Sequence, residues 1–230
     1  MIGGGYSLQG SYHEKNQDFY WVGKVSGGYV VALSDGLGSC KYSEVGSRTL
    51  CETVYTLADE RNCIIDDADA FIRQVEEEWR LSIRHRLYKT EDCSATALFA
   101  IVGEEKSWLF RLGDGVIGAK CVDKTIVLYD PKENGIINIT DCLGRSSSSW
   151  EKFSIVTGSL QGIFVCSDGV SDDNDEANLR ELVEGIYTEY GTQTKEKIEA
   201  DLACWVPTLK SSDDKTVAFL FQSILGEVSG

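Results

Sequence analysis

Only two histidines occur among the 230 residues, and none of the eight cysteines stands in a C-x-x-C pair. Structural zinc sites are built mostly from clustered Cys and His, so a zinc site is not expected. Cys93, Cys121 and Cys166 sit inside apolar runs, where a thiol behaves as a small hydrophobe. Basic residues are also scarce: 22 Lys and Arg stand against 37 Asp and Glu, a formal net charge of −15. That balance argues against nucleic acid, which needs basic patches to neutralise phosphate, and against anionic membrane surfaces. No apolar run approaches the length of a membrane span. The opening "MIGGGYSLQG" reads as neither a signal peptide nor a targeting sequence. There is no Pro- or Gly-rich linker, no repeat and no low-complexity segment. The expectation is a reduced, cytoplasmic protein, one domain over 1–230 and a monomer. A chain of this length can bury a full core without disulfides or a structural metal. The acidic excess has two readings, solubility or carboxylates gathered to bind cations.

What is present is a mixture of helical and strand patterns. "GYSLQGSY", "QDFYWVGK" and "GGYVVALSDG" read as short strands, followed by a helical pattern from Tyr42 to Leu57. Asp66 to Lys89 reads as a long helix. Its Phe71, Val75, Trp79 and Ile83 recur at steps of four on one face, and Asp66 and Asp67 stand where the N-cap and acidic first turn belong. The middle third carries "SATALFAIV", "SWLFRLGD", "GVIGAKCV" and "TIVLYD", an antiparallel meander, with "NGIINIT" as a further possible strand. "GRSSSSWE" is a polar loop. Trp150 within it could border a cleft, whereas Trp21, Trp79, Trp108 and Trp205 read as core. "FSIVTG" and "GIFVCSDG" are strands, "NDEANLRELVEGIYTEYG" and "TQTKEKIEADLACWV" are helices, and "KTVAFLFQSI" closes the chain as a strand. Two helices, many antiparallel strands and two more helices imply an α+β fold, a β-sandwich covered by helices.

The apolar run "VVALSDGLGS" ends on Asp35, between Ser34 and Gly36. One Asp-Gly between strands is ordinarily a turn. The context recurs, however, in "GIFVCSDG" at Asp168 and "WLFRLGDG" at Asp114. Asp213 and Asp214 directly precede the closing strand, and Asp18 opens an early one. These carboxylates, in a chain without His or Cys clusters, make an oxygen-only donor set suited to Mg²⁺, Mn²⁺ or Ca²⁺. No nucleophile motif of the C-x5-R or G-x-S-x-G type is present.

The ordered set "NQD", "SDGLG", "SATA", "LGDG", "CSDGVSD" and "DDKT" resembles the metal-dependent protein phosphatases of type 2C, and the compact bacterial branch more than longer eukaryotic members. The motifs run from Asn16 to Thr216. The resemblance implies a four-layer α-β-β-α sandwich, two antiparallel sheets flanked by helix pairs. It also implies a serine/threonine phosphatase in which two Mn²⁺ or Mg²⁺ ions, with a third weaker site, activate a bridging water. No covalent enzyme intermediate is involved. By the same resemblance Asp35 bridges the two ions, with the Gly36 carbonyl as a further ligand. Asp168 and Asp213 hold the first ion, Asp18 lies near the second, and Asp114 and Asp172 match the third site. The substrate would be a phosphorylated protein, and the partner a Ser/Thr kinase or its targets.

The chain departs from the family pattern at four places. Gln17 stands where Glu is frequent, which removes a charged ligand. His13 stands where an Arg grips the substrate phosphate, and a phosphate contact is the reading taken for it. Asp214 replaces the commoner Asn, either near a metal or as a hydrogen-bond acceptor. Gly115 replaces a frequent Ser, a change taken as neutral. Two other readings compete with an active enzyme. One is a catalytically weak relative that binds phosphoproteins, which Gln17 and His13 keep open. The other is a structural protein whose Asp-Gly pairs are only turns.

Overall fold

A computed structural model describes residues 1–130, 141–145, 149–171 and 176–222. Among these residues ten strands form two antiparallel sheets of five. One sheet has the order β1 (Ile2–Leu8), β10 (Lys215–Phe221), β9 (Leu160–Cys166), β6 (Val116–Cys121), β7 (Thr125–Leu128). The other runs β2 (Phe19–Val25), β3 (Gly28–Ser34), β4 (Ala97–Val102), β5 (Lys106–Leu112), β8 (Glu151–Val156). Helices α1 (Ser43–Glu60) and α2 (Ala68–His85) cover the β2–β8 sheet. The short α3 (Asp168–Ser171) follows β9 directly, and α4 (Glu176–Tyr190) and α5 (Lys195–Trp205) cover the β1–β7 sheet. The result is the expected four-layer α-β-β-α sandwich.

Strand periodicity explains the layering. In β3, Val30 and Ala32 pack toward α1 and α2, whereas Val31 and Leu33 pack between the sheets. In β4, Phe99 and Ile101 take the helical side and Leu98 and Ala100 the inner side. In β10, Phe219 and Phe221 meet α4 and α5, and Ala218 and Leu220 face inward. Strands buried on both faces must be apolar at every position, and this is why these segments read as continuous hydrophobic runs.

The long helix is shorter than its sequence pattern. It begins at Ala68, with Asp67 as N-cap accepting from the backbone N–H groups of Asp69 at 2.9 Å and Ala70 at 3.0 Å. Phe71, Val75, Trp79 and Ile83 are buried on one face as expected, and the Trp79 indole donates to the Gly46 carbonyl at 3.0 Å. Trp150 borders a surface cleft with Val127, Leu128 and Tyr129, apart from the aspartates Asp35, Asp114, Asp168 and Asp213. Its indole donates to Glu76 on α2 at 2.9 Å, and its ring meets Phe99 edge-on at 5.9 Å. The "NGIINIT" segment and most of the serine run lie outside the described residues. All eight cysteines carry free thiols, and Cys93, Cys121 and Cys166 are buried. No described helix is long and apolar enough to cross a membrane.

Candidate metal centre

One end of the sandwich gathers chain segments from both sheets. Asp35 leaves β3 and is fixed at once by Thr96. Its N–H donates to the Thr96 hydroxyl at 2.9 Å, and its carbonyl accepts the Thr96 N–H at 2.8 Å. Gly36 then passes so close to α1 that a Cβ there would stand 2.7 Å from the Ser43 Cβ. Its N–H donates to the Gln17 carbonyl at 3.2 Å. Gly113, in the left-handed region at φ +109°, turns the chain from β5 toward β6 and presents Asp114. Asp168 is the first residue of α3 rather than the last of a strand. Gly169 beside it abuts the Asp214 carbonyl so closely that no side chain fits.

Asp18 lies beneath these groups, just before β2, and is 7% exposed. Its Oδ2 accepts from the Ser167 hydroxyl at 2.9 Å, whereas its buried Oδ1 has no hydrogen-bond partner. Burial pushes the Asp18 carboxyl up to about 6, against the lowering effect of hydrogen bonds from Thr216, Ser167 and Asp35; the Asp214 charge adds to the rise. The Asp35 carboxyl is held well above the usual carboxylate range, first by desolvation and then by the charges of Asp18, Asp168 and Asp114. Four carboxylates thus press on one another. Asp35, Asp114, Asp168 and Asp213 also line a single cleft of 360 Å³, together with His13 and Gly36. Like charges brought together in a partly desolvated place are costly unless a counter-charge joins them. An all-oxygen carboxylate set with an orphaned buried oxygen fits hard divalent cations.

Residues 10–207 match the sequence pattern of the protein phosphatase 2C family. The chain belongs to that family. Solved structures with the same fold include a bacterial serine phosphatase, at 17% identity and TM-score 0.72 over 95% of this chain and 96% of that one. Another is the serine/threonine phosphatase Stp1 from Staphylococcus aureus, at 16% identity and TM-score 0.71 over 96% and 94%. A third is the catalytic domain of the serine/threonine phosphatase PstP in complex with two manganese ions, at 15% identity and TM-score 0.64 over 95% and 96%. A search of curated protein sequences gave no match.

Within this 2C-family site, the residues that depart from the pattern have definite surroundings. Asp214 is 1% exposed and accepts from the N–H groups of Gly10 and Gln17, both at 2.7 Å, so it ties the N-terminal loop to the far end of the chain. His13 Nδ1 lies 3.2 Å from Asp214 Oδ2 and 3.3 Å from Asp213 Oδ1. Gln17 Oε1 is buried without a hydrogen-bond partner. Gly115 is not a neutral exchange, because a Cβ there would collide with Leu98 and approach the Cys166 carbonyl. Asp172 lies outside the described residues. Cys166, two residues from Asp168, is buried and pushed up to about 12 by desolvation, so it is a protonated thiol rather than a nucleophile.

Sequence reasoning assigned no role to Thr96 or Ser167, although both lie inside the quoted motifs. Their hydroxyls fix Asp35 and Asp18 respectively. The signal for Ser167 was its place directly before Asp168. Thr96 carried none, because its partner lies 61 positions away.

Proposed function

We propose that this chain is a metal-dependent phosphatase of phosphoserine and phosphothreonine in proteins, acting without a covalent enzyme intermediate. The convergence of Asp35, Asp114, Asp168 and Asp213 on one cleft, with Asp18 buried beneath, carries the reading. In this reading Asp35 and the Gly36 carbonyl, with Asp168, Asp213 and Asp18, would hold two Mn²⁺ or Mg²⁺ ions, and Asp114 with Asp172 would hold a third more weakly. When bound, the ions supply positive charge against the phosphate oxygens and bring the pKa of bound water toward neutrality.

The chain's own residues supply placement. Thr96 grips Asp35 from both sides of its peptide, so the carboxylate keeps its position as charges change. Ser167 and Gly169 fix the start of α3, and with it Asp168. His13 holds the substrate phosphate through Nε2, which lies against Gly38 on the cleft wall. Substrates of this kind are products of Ser/Thr kinases, so a kinase or its targets is the natural partner class.

Gln17 supports a second reading. Its buried, unpartnered Oε1 is a neutral donor where an acid would hold the second ion more tightly. A weakly catalytic phosphoprotein-binding module follows if that ion does not stay. Hydrolysis of a phosphothreonine peptide, with and without Mn²⁺, separates the two. Mn²⁺-dependent turnover that disappears in Asp35→Asn supports the enzyme. Binding of the peptide without turnover under any divalent metal supports the module and refutes the enzyme.

A further inference from the structure

We infer that His13 is a nitrogen ligand: its Nδ1 joins Asp213 and Asp214 in a mixed nitrogen–oxygen face toward the divalent cation that Asp213 holds. The inference rests on the reading that Asp213 holds an ion. It assigns His13 a second role beyond the phosphate contact.

The spacing is the first argument. His13 Nδ1 lies 3.3 Å from Asp213 Oδ1 and 3.2 Å from Asp214 Oδ2, and one donor atom from each of the three residues lies within 4.8 Å of the others. Two donors each roughly 2.0–2.2 Å from one ion stand about 3.0 Å apart at a right angle and about 3.4 Å apart at a tetrahedral one. Both separations from Nδ1 fall in that interval.

The donors also retain capacity. Asp214 spends one acceptor site on each oxygen, to Gly10 and Gln17, and a carboxylate oxygen has a second. Asp213 accepts from the Asp214 N–H at 2.8 Å through Oδ1, and its side chain is 40% exposed on the cleft. The imidazole itself is held in place. Its side chain is 11% exposed, Tyr12 meets its ring edge-on at 5.2 Å, and a Cβ on Gly38 would stand 2.9 Å from Nε2. The same added Cβ would stand 3.7 Å from Gln17 Oε1, so the wall around the ring also contains a buried acceptor with nothing to accept from.

Two consequences follow. With Nδ1 coordinated, the ring proton must reside on Nε2, the nitrogen on the cleft side, and this is the tautomer that donates to a phosphate oxygen. An imidazole among carboxylates also moves preference from Mg²⁺, which favours all-oxygen shells, toward Zn²⁺ and Fe²⁺.

The test uses the full chain loaded with Mn²⁺ and reads ¹⁴N coupling by electron spin-echo envelope modulation. Titration calorimetry with Zn²⁺ and Mg²⁺ accompanies it. The chain has only two histidines, so the assignment is clean. Imidazole modulation should be present in the wild type, survive His85→Ala and vanish in His13→Ala. Zn²⁺ affinity should fall roughly tenfold or more in His13→Ala, the lower limit of what losing even an outer partner does, while Mg²⁺ affinity stays nearly unchanged. Mn²⁺ binding and phosphatase turnover without any ¹⁴N modulation would overturn the inference and leave the proposed function standing; His13 would then be only an ion-pair partner of Asp213 and Asp214. Absence of both Mn²⁺ binding and turnover would overturn both.

Discussion

Asp18→Asn should make the metal-free protein more stable, and increasingly so as pH rises. Folded, the Asp18 carboxyl gives up its proton only near about 6, against an ordinary value of 3.8. That gap is worth about 3 kcal/mol. Well below pH 3.8 the group is protonated in both the folded and unfolded states and costs nothing. Between 4 and 6 the unfolded chain releases the proton while the folded chain keeps it, so stability declines as pH rises. Above 6 the folded protein carries a buried carboxylate and bears the full penalty. Asparagine does not titrate, and its carbonyl can still accept the Ser167 hydroxyl that now meets Asp18 Oδ2. In EDTA, the stability difference between variant and wild type should be small at pH 4 and reach about 3 kcal/mol at pH 7, roughly 6–12 °C in Tm for a chain of this size. Thermal melts of both proteins across that range, monitored by circular dichroism, give the difference directly. The general repulsion from a net charge of −15 is common to both chains and nearly cancels. Saturating Mn²⁺ should stabilise the wild type more than the variant and so narrow the gap. A difference that does not change with pH, or a wild type that is the more stable protein at pH 7, would refute the argument that this carboxylate is strained without a cation.

Other substitutions probe the frame around the site. Asp67→Ala removes both N-cap hydrogen bonds of α2 and should cost about 1 kcal/mol in urea unfolding, with phosphatase activity retained. Gly169→Ala forces a methyl group into the Asp214 carbonyl; it should cost about 1–3 kcal/mol and reduce turnover as well, because α3 carries Asp168. Trp79→Ala empties a fully enclosed position between α1 and α2 and should cost about 3–5 kcal/mol, measured by the denaturation midpoint.

The layers of the fold were readable because burial imposes period. The steps of four in α2 and the apolar runs of β3, β4, β9 and β10 each follow from which faces are covered. The first strand was harder. Its glycines weaken any strand signal, and the pattern suggested a start at Gly5, whereas β1 spans Ile2–Leu8. Gly5 runs so close to the Val217 carbonyl that a side chain would collide. That requirement belongs to the partner strand and is invisible in the local sequence. Asp35, Asp114 and Asp168 announced themselves by repeating one local context, and Asp213 by standing directly before an apolar strand. The surroundings of His13 could not be read, because its partners lie about 200 positions away and only the fold brings them near. Trp150 does border a cleft, but not that of the aspartates: Glu76 and Phe99 hold its ring against α2 and β4.

The position of β10 has a further consequence, for synthesis. This strand is the last described element, yet it lies inside its sheet, with β1 on one side and β9 on the other. Until residue 221 has left the ribosome, both neighbours expose unpaired edges, and Asp213 and Asp214 are not yet available to close the cleft against His13, Gly10 and Gln17. A nascent chain therefore passes through a long interval with a nearly complete β2–β8 sheet and an open second one, a state in which edge-to-edge association competes with folding. The cleft is therefore completed only once β10 and the aspartates before it have been made.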